Sequence, residues 1–442
     1  MWMLLALAAC RDEASPVAAG PRTVPWSVER APLTEVSPAG RAWKRAIVHL
    51  HSPFSHDACD NDPMPGGVPD ADCLDDLRAA LCTNAIDVAM LTEHPAHAAE
   101  RPFPDLLLAR EGDTVLDGRA TRMACPGGAS TLLLPGIEDE LMPVALDRHV
   151  SPDPVAADAI YNGTDADTLA AEIDAGGLVL QAHTEGQDLD TLVARQSAGL
   201  AGVELYNLHA MVDPRKRAQD LGLEAMTPLE VLAPFFSGET SAEPDLAFLG
   251  FHEAQEVSLA RWDALSALAP TVATAGTDAH QNALPMLLSD GERADSYRRM
   301  TRWFSNILLV DGDDPQDAED ALAAGRNLVA FEILGTPSGF DVHYGDLEMA
   351  GTGSVGGNLV VGCPALSPDT PQDGDAPEIR VRVLRDGQPF GEGCGTFPIA
   401  EAGVYRVAVD IVPHHLRGFL DVPTQDFVHA MPWLYSGAFR LR

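Results

Sequence analysis

The sequence predicts an α/β fold, in which a barrel-like domain of parallel strands is followed by a small β-sandwich. Apolar, β-branched runs alternate with amphipathic stretches through the first three quarters of the chain, as expected for repeated βα units. After Gly339 the apolar residues alternate with a period of two between Gly and Pro turns, which is typical of antiparallel sheets. The length of 442 residues also favours two domains over one.

The elements of the first domain follow from these patterns. Seven apolar runs predict strands at 46–50, 86–91, 131–137, 178–182, 202–206, 271–275 and 306–310. Three amphipathic stretches predict helices between them, at 165–175, 189–198 and 254–268. In the last quarter, residues 378–385 and 403–412 are predicted to be strands of the β-sandwich.

The charge of the chain excludes some partners. It carries 66 acidic and 29 basic residues, for a formal net charge of −37. Such a field repels nucleic-acid phosphates and anionic bilayers. We therefore expect a small-molecule substrate and no nucleic-acid polymer.

The N-terminus resembles the end of a bacterial lipoprotein signal. Residues 1–10 are apolar and finish as Leu7-Ala8-Ala9-Cys10, which matches a lipobox with Cys10 as the lipidated residue. Residues 11–44, rich in Ala, Pro and Ser at their start, are expected to form a tether. The resemblance implies an exported protein, periplasmic or on the cell surface, whose only membrane attachment is the lipid on Cys10. The alternative is a buried N-terminal helix.

Six further cysteines suggest disulfides, because an even number in an exported chain is typical of a disulfide framework. Sequence neighbours suggest the pairs Cys59–Cys73, Cys82–Cys125 and Cys363–Cys394. Six cysteines allow fifteen connectivities in all, so the pairing stays open at this level.

Acidic and imidazole side chains cluster at the ends of the predicted strands. They are His49 and His51, then Glu93 and His94, Glu138, His183, Glu204, Asp278 and His280. Because parallel strands end at one mouth of a barrel, we expect these residues to meet there. Imidazoles and carboxylates without thiolates suit Zn, Mn or Fe, and one carboxylate can bridge two ions. The competing interpretation of His49 and His51 is a pair of hydrogen-bonded core histidines.

As an ordered set, these motifs resemble the PHP family, the polymerase and histidinol phosphatase metal-dependent hydrolases. The matching segments are His49-Leu50-His51-Ser52 with His56, Leu91-Thr92-Glu93-His94, Pro135-Gly136-Ile137-Glu138, His149, Ala182-His183, Gly202-Val203-Glu204-Leu205-Tyr206-Asn207 and Gly276-Thr277-Asp278-Ala279-His280. The resemblance runs from about Arg45 to Gly335. It implies a distorted (β/α)7 TIM-like barrel at 45–338, and the exported branch of the family implies a β-sandwich at 339–442.

The resemblance also implies two to three divalent ions. Its ligand sets are His49, His51, Glu138 and Asp278 for one ion, His56, His94 and His280 for a second, and Glu138, His149 and His183 for a third. Catalytic roles fall on Glu138, His183, Asp278 and His280. The sequence departs from the family pattern at Glu93, where Asp is usual, and at Thr184, where Pro is usual. Asp57 competes with His56 as a ligand.

The function that the resemblance implies is hydrolysis of a small phosphoester by metal-activated water. The alternatives are a hydrolase of a carboxylic ester, carbamate or amide, and a non-catalytic binding lipoprotein. Arg215-Lys216-Arg217 is a basic cluster that either grips a second phosphate or forms a solvated helix start. His97, His209 and His252 are expected to be ordinary polar or rim residues.

Overall fold

The computed structural model describes residues 24–236 and 242–442 and shows a mixed α/β protein with one large sheet. The predicted lipoprotein signal, including Cys10, and the first part of the tether lie outside the described residues. Among the residues that are described, no helix combines the length and the apolar character needed to span a bilayer.

The strands are numbered along the chain. They are β1 (Ala42–Leu50), β2 (Val88–Leu91), β3 (Thr114–Leu116), β4 (Ala120–Ala124), β5 (Ser130–Leu134), β6 (Leu141–Val144), β7 (Leu178–Gln181), β8 (Gly202–Asn207), β9 (Val272–Ala279), β10 (Ser305–Val310), β11 (Asn327–Ala330), β12 (Pro337–Ser338), β13 (Val342–Tyr344), β14 (Leu347–Glu348), β15 (Gly351–Gly353), β16 (Asn358–Val361), β17 (Ala365–Leu366), β18 (Glu378–Arg385), β19 (Gln388–Glu392), β20 (Gly395–Pro398), β21 (Gly403–Val412), β22 (Met431–Ser436) and β23 (Phe439–Leu441). All seven runs predicted as strands in the first domain overlap one of these strands, so that part of the prediction is confirmed.

The helices lie between the strands of the first three quarters. They are α1 (Ala58–Asn61), α2 (Ala71–Thr83), α3 (Pro95–Ala98), α4 (Pro154–Tyr161), α5 (Ala166–Asp174), α6 (Leu189–Ala198), α7 (Leu208–Val212), α8 (Pro214–Gln219), α9 (Thr227–Phe236), α10 (Glu256–Leu268), α11 (Tyr297–Arg302) and α12 (Pro315–Ala323). The three predicted helices are confirmed as α5, α6 and α10. An aspartate caps α2, α4, α5, α6 and α8 by accepting a hydrogen bond from a main-chain N–H of the first turn. Some of the many acidic residues therefore serve as N-caps of helices.

The largest sheet closes into a barrel, and its parallel part explains where the site forms. Strand β1 pairs in parallel with β2 and β9, β2 with β5, and β8 with β7 and β9. The carboxyl ends of these strands therefore lie at one edge. Strand β10 was expected to continue the parallel set but pairs antiparallel with β1 and β11. The finer assignment to a distorted (β/α)7 barrel stays a prediction.

The C-terminal segment is joined to this sheet by main-chain hydrogen bonds. Strand β22 pairs antiparallel with β11 and β21, and β21 pairs with β18 over eight residue pairs. A separate four-stranded sheet has the order β14-β13-β16-β20. The predicted strands at 378–385 and 403–412 are confirmed as β18 and β21. The β-sandwich and the boundary between 338 and 339 stay predictions.

The three disulfides suggested by sequence neighbours are present. They join Cys59 to Cys73, Cys82 to Cys125 and Cys363 to Cys394. The first ties the loop after β1 to α2, the second ties the end of α2 to the loop between β4 and β5, and the third lies in the C-terminal segment. This prediction is confirmed.

Candidate metal centre

The site forms where the parallel strands end, and the backbone is unusual there. His49, His183 and Asp278 have φ angles of 68°, 47° and 50°, in the left-handed region that residues with a Cβ rarely adopt. At His49 the pairing of β1 with both β2 and β9 shifts register, so the strand is not regular at this point. Such backbone strain persists where the surrounding structure holds it, and it is concentrated at functional sites.

His49 is fully buried and is held from its outer side by Glu204. Its Nδ1 lies 2.6 Å from Glu204 Oε1, and its Nε2 lies 3.3 Å from Asp278 Oδ1. Glu204 also accepts a hydrogen bond from the main-chain N–H of His183 at 2.8 Å. An imidazole that donates Nδ1–H to a carboxylate presents the lone pair of Nε2 on the other side, as metal-binding histidines do.

His51 is oriented by a chain of hydrogen bonds. Its Nδ1 donates to Ser55 Oγ at 2.8 Å, and the Ser55 hydroxyl donates to Glu93 Oε2 at 2.9 Å. Glu93 also accepts from the main-chain N–H of Ser52 at 3.0 Å. The glutamate that departs from the family pattern therefore supports the His51 ring through Ser55, whose Oγ also accepts the main-chain N–H of His94.

His94, His280 and Asp57 form a second convergence. The Nε2 atoms of His94 and His280 are 3.3 Å apart, and Asp57 Oδ1 lies 3.6 Å from the first and 3.5 Å from the second. On their outer sides, His94 Nδ1 donates to the main-chain oxygen of Glu138 and His280 Nδ1 donates to that of Asp278, both at 3.0 Å. Glu138 Oε2 is 3.0 Å from His94 Nδ1.

His183 completes the group of five imidazoles. Its Nδ1 lies 3.1 Å from Glu185 Oε1, while its Nε2 is 3.3 Å from Asp278 Oδ2 and 3.8 Å from Glu138 Oε1. Potential ligand atoms come within 4.8 Å of one another in three sets of residues. These sets are His51, His94 and His280; His49, His183 and Asp278; and His49, His51 and Glu138.

Charges within the site shift the pKa values of its rings and carboxylates. Burial opposes protonation of His94 and His183, but Glu138 raises the pKa of the first to about 9, and Asp278 and Glu185 raise that of the second to about 10. Burial also opposes ionisation of Asp278, yet the imidazoles around it, first His49, hold its pKa well below the usual range. Without metal His94 and His183 therefore keep their protons, whereas burial lowers the pKa of His51 and of His280. Binding of a cation would release protons from the first two rings.

Orphaned buried atoms show that the donor set fits divalent cations. His49 Nε2, His51 Nε2 and Asp57 Oδ1 are buried and have no hydrogen-bond partner among the described residues. Each faces the convergence, and a buried polar atom without a partner is costly in a folded protein. Nitrogen and carboxylate oxygen donors of this kind suit Zn, Mn or Fe. The described residues are therefore compatible with divalent metal binding.

Two predicted ligands lie elsewhere. His56 is exposed, with its ring centre 5.2 Å from that of His94, and it belongs to none of the three convergent sets. Asp57, the next residue, approaches His94 and His280 in its place, because the turn after β1 directs Asp57 inward. His149 is also outside the sets. Its Nε2 donates to the Arg101 carbonyl at 2.9 Å, and its Nδ1 lies 3.3 Å from the Tyr161 hydroxyl.

Some contacts of the site were not expected from sequence. His209 was interpreted as a rim residue, but its Nδ1 lies 2.9 Å from Asp278 Oδ2. Glu185 and Ser55, which orient His183 and His51, were not singled out. Lys216 places Nζ 3.2 Å from His183 Nδ1. The available signal was position, because His209 follows β8, and Glu185 follows β7, at the edge where the predicted ligands meet.

Comparison with solved structures finds a two-domain protein from Bacteroides vulgatus ATCC 8482 that contains a predicted PHP-like metal-dependent phosphoesterase. The two chains are 11% identical, the alignment covers 92% of this chain and 98% of that chain, and the TM-score is 0.38. No protein-family model matches the chain, and no curated protein matches it.

Proposed function

We propose that this chain is a metal-dependent hydrolase of the PHP type that cleaves a small phosphoester. One observation carries the proposal. Five imidazoles present Nε2 toward the carboxylates of Asp57, Glu138 and Asp278, while each Nδ1 is held by an acceptor on its outer side. Histidines with only a packing role in the core have no reason to direct all five Nε2 atoms toward one centre.

The ligands fall into two sets. His49, His51, Glu138 and Asp278 would hold one ion, and Asp57, His94 and His280 would hold the second. The third set implied by the family keeps Glu138 and His183 but lacks His149, so we propose two ions for this chain. When bound, such ions polarise a phosphoryl oxygen and lower the pKa of a water molecule.

The carboxylate ligands are ionised, and one imidazole outside the two ligand sets can act on the substrate. Asp278 and Glu138 stay ionised because the imidazoles beside them lower their pKa values against the effect of burial. His183 lies outside the two proposed ligand sets, and Glu185 fixes its ring with Nε2 toward the centre. It is therefore our candidate for giving a proton to the leaving oxygen, which is the usual role of a positioned imidazole.

A phosphoester is favoured over a carbonyl substrate because it is anionic. The bound divalent cations would concentrate positive charge at the site, although the chain as a whole has a net charge of −37. A carboxylic ester, carbamate or amide remains the second candidate, since the same centre would polarise a carbonyl. A purely binding lipoprotein is the third, and the retention of all the oriented imidazoles weighs against it.

The test combines metal analysis with a substrate panel. Purified chain, reconstituted with Zn or Mn, is analysed for metal and assayed on sugar phosphates, nucleotide bisphosphates and aryl esters. We expect about two equivalents of metal and phosphatase activity, both lost when His49 and His51 are replaced by Ala. The matched control replaces His414 and His429, two histidines of the C-terminal segment away from the site, and should keep both. Activity with no metal above background would refute the proposal.

We also propose that the protein is exported and anchored through Cys10. The three disulfides support this, because such bonds persist in oxidising compartments. The expected result is partition into the detergent phase, with release to the soluble fraction in Cys10→Ser. An unmodified Cys10 in the mass of the mature protein would contradict it.

A further inference from the structure

Lysine is rare in this chain, and one of its two lysines lies at the metal centre. Lys44 is far from the site in β1 and is paired with Asp87 at 3.6 Å and Asp313 at 2.8 Å. Lys216, in α8, is half-buried, and its Nζ lies 3.2 Å from Nδ1 of His183. Within residues 24–236 and 242–442, no carboxylate pairs with Lys216 within 4.0 Å, whereas most basic residues of this acidic protein are paired.

The neighbouring imidazole nitrogen is a poor acceptor for this ammonium group. His183 Nδ1 lies 3.1 Å from Glu185 Oε1, and a ring that presents Nε2 to the centre keeps its hydrogen on Nδ1. A nitrogen that carries a hydrogen cannot accept another. Apart from His183 Nδ1, the described residues place no hydrogen-bond acceptor at Lys216 Nζ, and Glu185 acts on this group through its charge alone.

The cap of α8 holds the main chain of Lys216 beside the site. The N–H of Lys216 donates to Asp213 Oδ1 at 2.8 Å, which caps α8. Nζ and the Glu185 carboxylate are on the Nδ1 side of the His183 ring, and Glu138 and Asp278 are on the Nε2 side. The ammonium group and the metal centre are thus separated by one imidazole.

We propose that Lys216 binds a second anionic group of the substrate. This inference rests on the proposed function, and it deepens that function by naming the substrate class: a small phosphoester that also carries a carboxylate or a second phosphate. One anionic group would lie at the metal centre and the other at Lys216, on the two sides of His183. An ammonium group recognises both kinds of anion by charge-assisted hydrogen bonds.

The other cations nearby are committed elsewhere or reach solvent. Arg217 is buried and donates to Glu253 at 2.6 Å and to the Glu224 carbonyl at 2.8 Å. Arg261 donates to the Thr184 carbonyl at 2.6 Å. Arg215 is exposed. Arg215 therefore offers a matched control one residue away in the same helix.

The experiment uses phosphonates, which bind without being hydrolysed. The affinity of the zinc-loaded full chain for phenylphosphonate is compared with that for 4-carboxyphenylphosphonate and for benzene-1,4-diphosphonate by calorimetry. We expect the second anionic group to tighten binding about tenfold, as one charge-assisted hydrogen bond does. The gain should vanish in Lys216→Met, be kept in part in Lys216→Arg, and be unchanged in Arg215→Met. The two dianions distinguish a carboxylate site from a phosphate site.

A second measurement reports on the lysine itself. Reductive methylation with ¹³C-formaldehyde labels both lysines, and Lys44 is an internal reference. Addition of the tighter dianion should shift the Lys216 signal and leave the Lys44 signal in place. If the gain in affinity is absent in the wild type, or survives in Lys216→Met with no shift at Lys216, the proposal is overturned. Failure to hydrolyse phenyl phosphate, with the Lys216-dependent gain intact, would overturn the phosphoesterase function and leave the anion site standing.

Discussion

His56 and Asp57 are neighbours in the sequence and have opposite positions in the structure. The family pattern assigns a ligand role to His56, but that side chain is exposed, whereas Asp57 Oδ1 is a buried atom facing His94 and His280. Spacing along a turn cannot decide which of two adjacent side chains points inward. The loop is positioned by tertiary contacts, since the main-chain N–H of Cys59 donates to the His280 carbonyl at 2.9 Å.

We expect Asp57→Asn to lose metal and His56→Ala to keep it. The substitution removes the carboxylate charge and so lowers the metal affinity of the site formed with His94 and His280. Loss of a metal-site partner costs about 10- to 100-fold in affinity or activity. Metal titration of both variants by competition with a chelator gives the comparison. Equal affinity in Asp57→Asn and wild type, with weakened binding in His56→Ala, would return the ligand role to His56.

Glu138 contacts three of the five imidazoles. It lies 3.0 Å from His94 Nδ1, 3.8 Å from His183 Nε2 and 4.0 Å from His49 Nε2. Glu138→Gln keeps the shape and removes the charge that balances neighbouring cations. Turnover should fall at least ~100-fold, with circular dichroism unchanged and excess Mn restoring only part of the rate. Full activity with unchanged metal content would show that Glu138 is no ligand.

At the scale of elements, the sequence predicts where strands lie better than it predicts which strands pair and in which direction. The runs at 178–182 and 202–206 carry enough apolar, β-branched character to form strands in any sheet, and both do so as β7 and β8. Pairing direction is decided by connections and tertiary packing, so the antiparallel β10 was missed. The same reason explains why His149, predicted to be a ligand, lies outside the convergent sets. Its ring is held by Tyr161 of α4 and by the Arg101 carbonyl, and local sequence does not encode these contacts.

One buried ion pair joins strand β1 to the segment after β11. Arg45 and Glu332 are both buried, with Arg45 Nη2 at 2.9 Å and Arg45 Nε at 2.9 Å from the carboxylate. Arg30 and Ser305 also contact Glu332. Burial opposes ionisation of Glu332, but Arg30 and Arg45 hold its pKa well below the usual range.

Glu332→Ala should therefore lower the free energy of unfolding by about 3–5 kcal/mol, because it leaves the Arg45 charge buried and uncompensated. Denaturant unfolding of the metal-free chain measures this. The control is Glu401→Ala, which removes the partner of Arg385 from an exposed pair and should change stability by less than ~1 kcal/mol. Similar losses of unfolding free energy in Glu332→Ala and Glu401→Ala would show that the buried pair stabilises the fold no more than the exposed pair does.

At the scale of the whole molecule, a buried histidine connects strand β8 to strand β22 of the C-terminal segment. His252 Nε2 donates to the Pro432 carbonyl of β22 at 3.1 Å, and its Nδ1 lies 3.2 Å from the Tyr206 hydroxyl of β8. Burial lowers the pKa of His252 to about 4. The folded chain therefore binds the proton less readily than the unfolded chain, in which the pKa is about 6.5.

This pKa predicts a loss of stability in acid. The unfolded state takes up the proton first as pH falls, so His252 should cost about 3 kcal/mol between about pH 6.5 and pH 4. His252→Gln cannot titrate and should flatten the dependence of unfolding free energy on pH in that window. His415 is also buried and has a pKa of about 4, so it makes the free energy of unfolding fall with pH in the same direction. Part of the pH dependence should therefore remain in His252→Gln. An unchanged slope in His252→Gln would refute the assignment.

We expect the disulfide between Cys59 and Cys73 to link oxidation of the chain to assembly of the proposed metal centre. It closes the loop that begins two residues after Asp57 and fastens it to α2. A chain that has not yet been oxidised would hold Asp57 loosely and so would acquire its second ion late. We expect Cys59→Ser with Cys73→Ser to lose that ion first, while Cys363→Ser with Cys394→Ser, in the C-terminal segment, keeps both. Metal analysis of the two double variants tests this order. If it holds, the full metal site proposed for this chain would form only in an oxidising environment, where such disulfides persist.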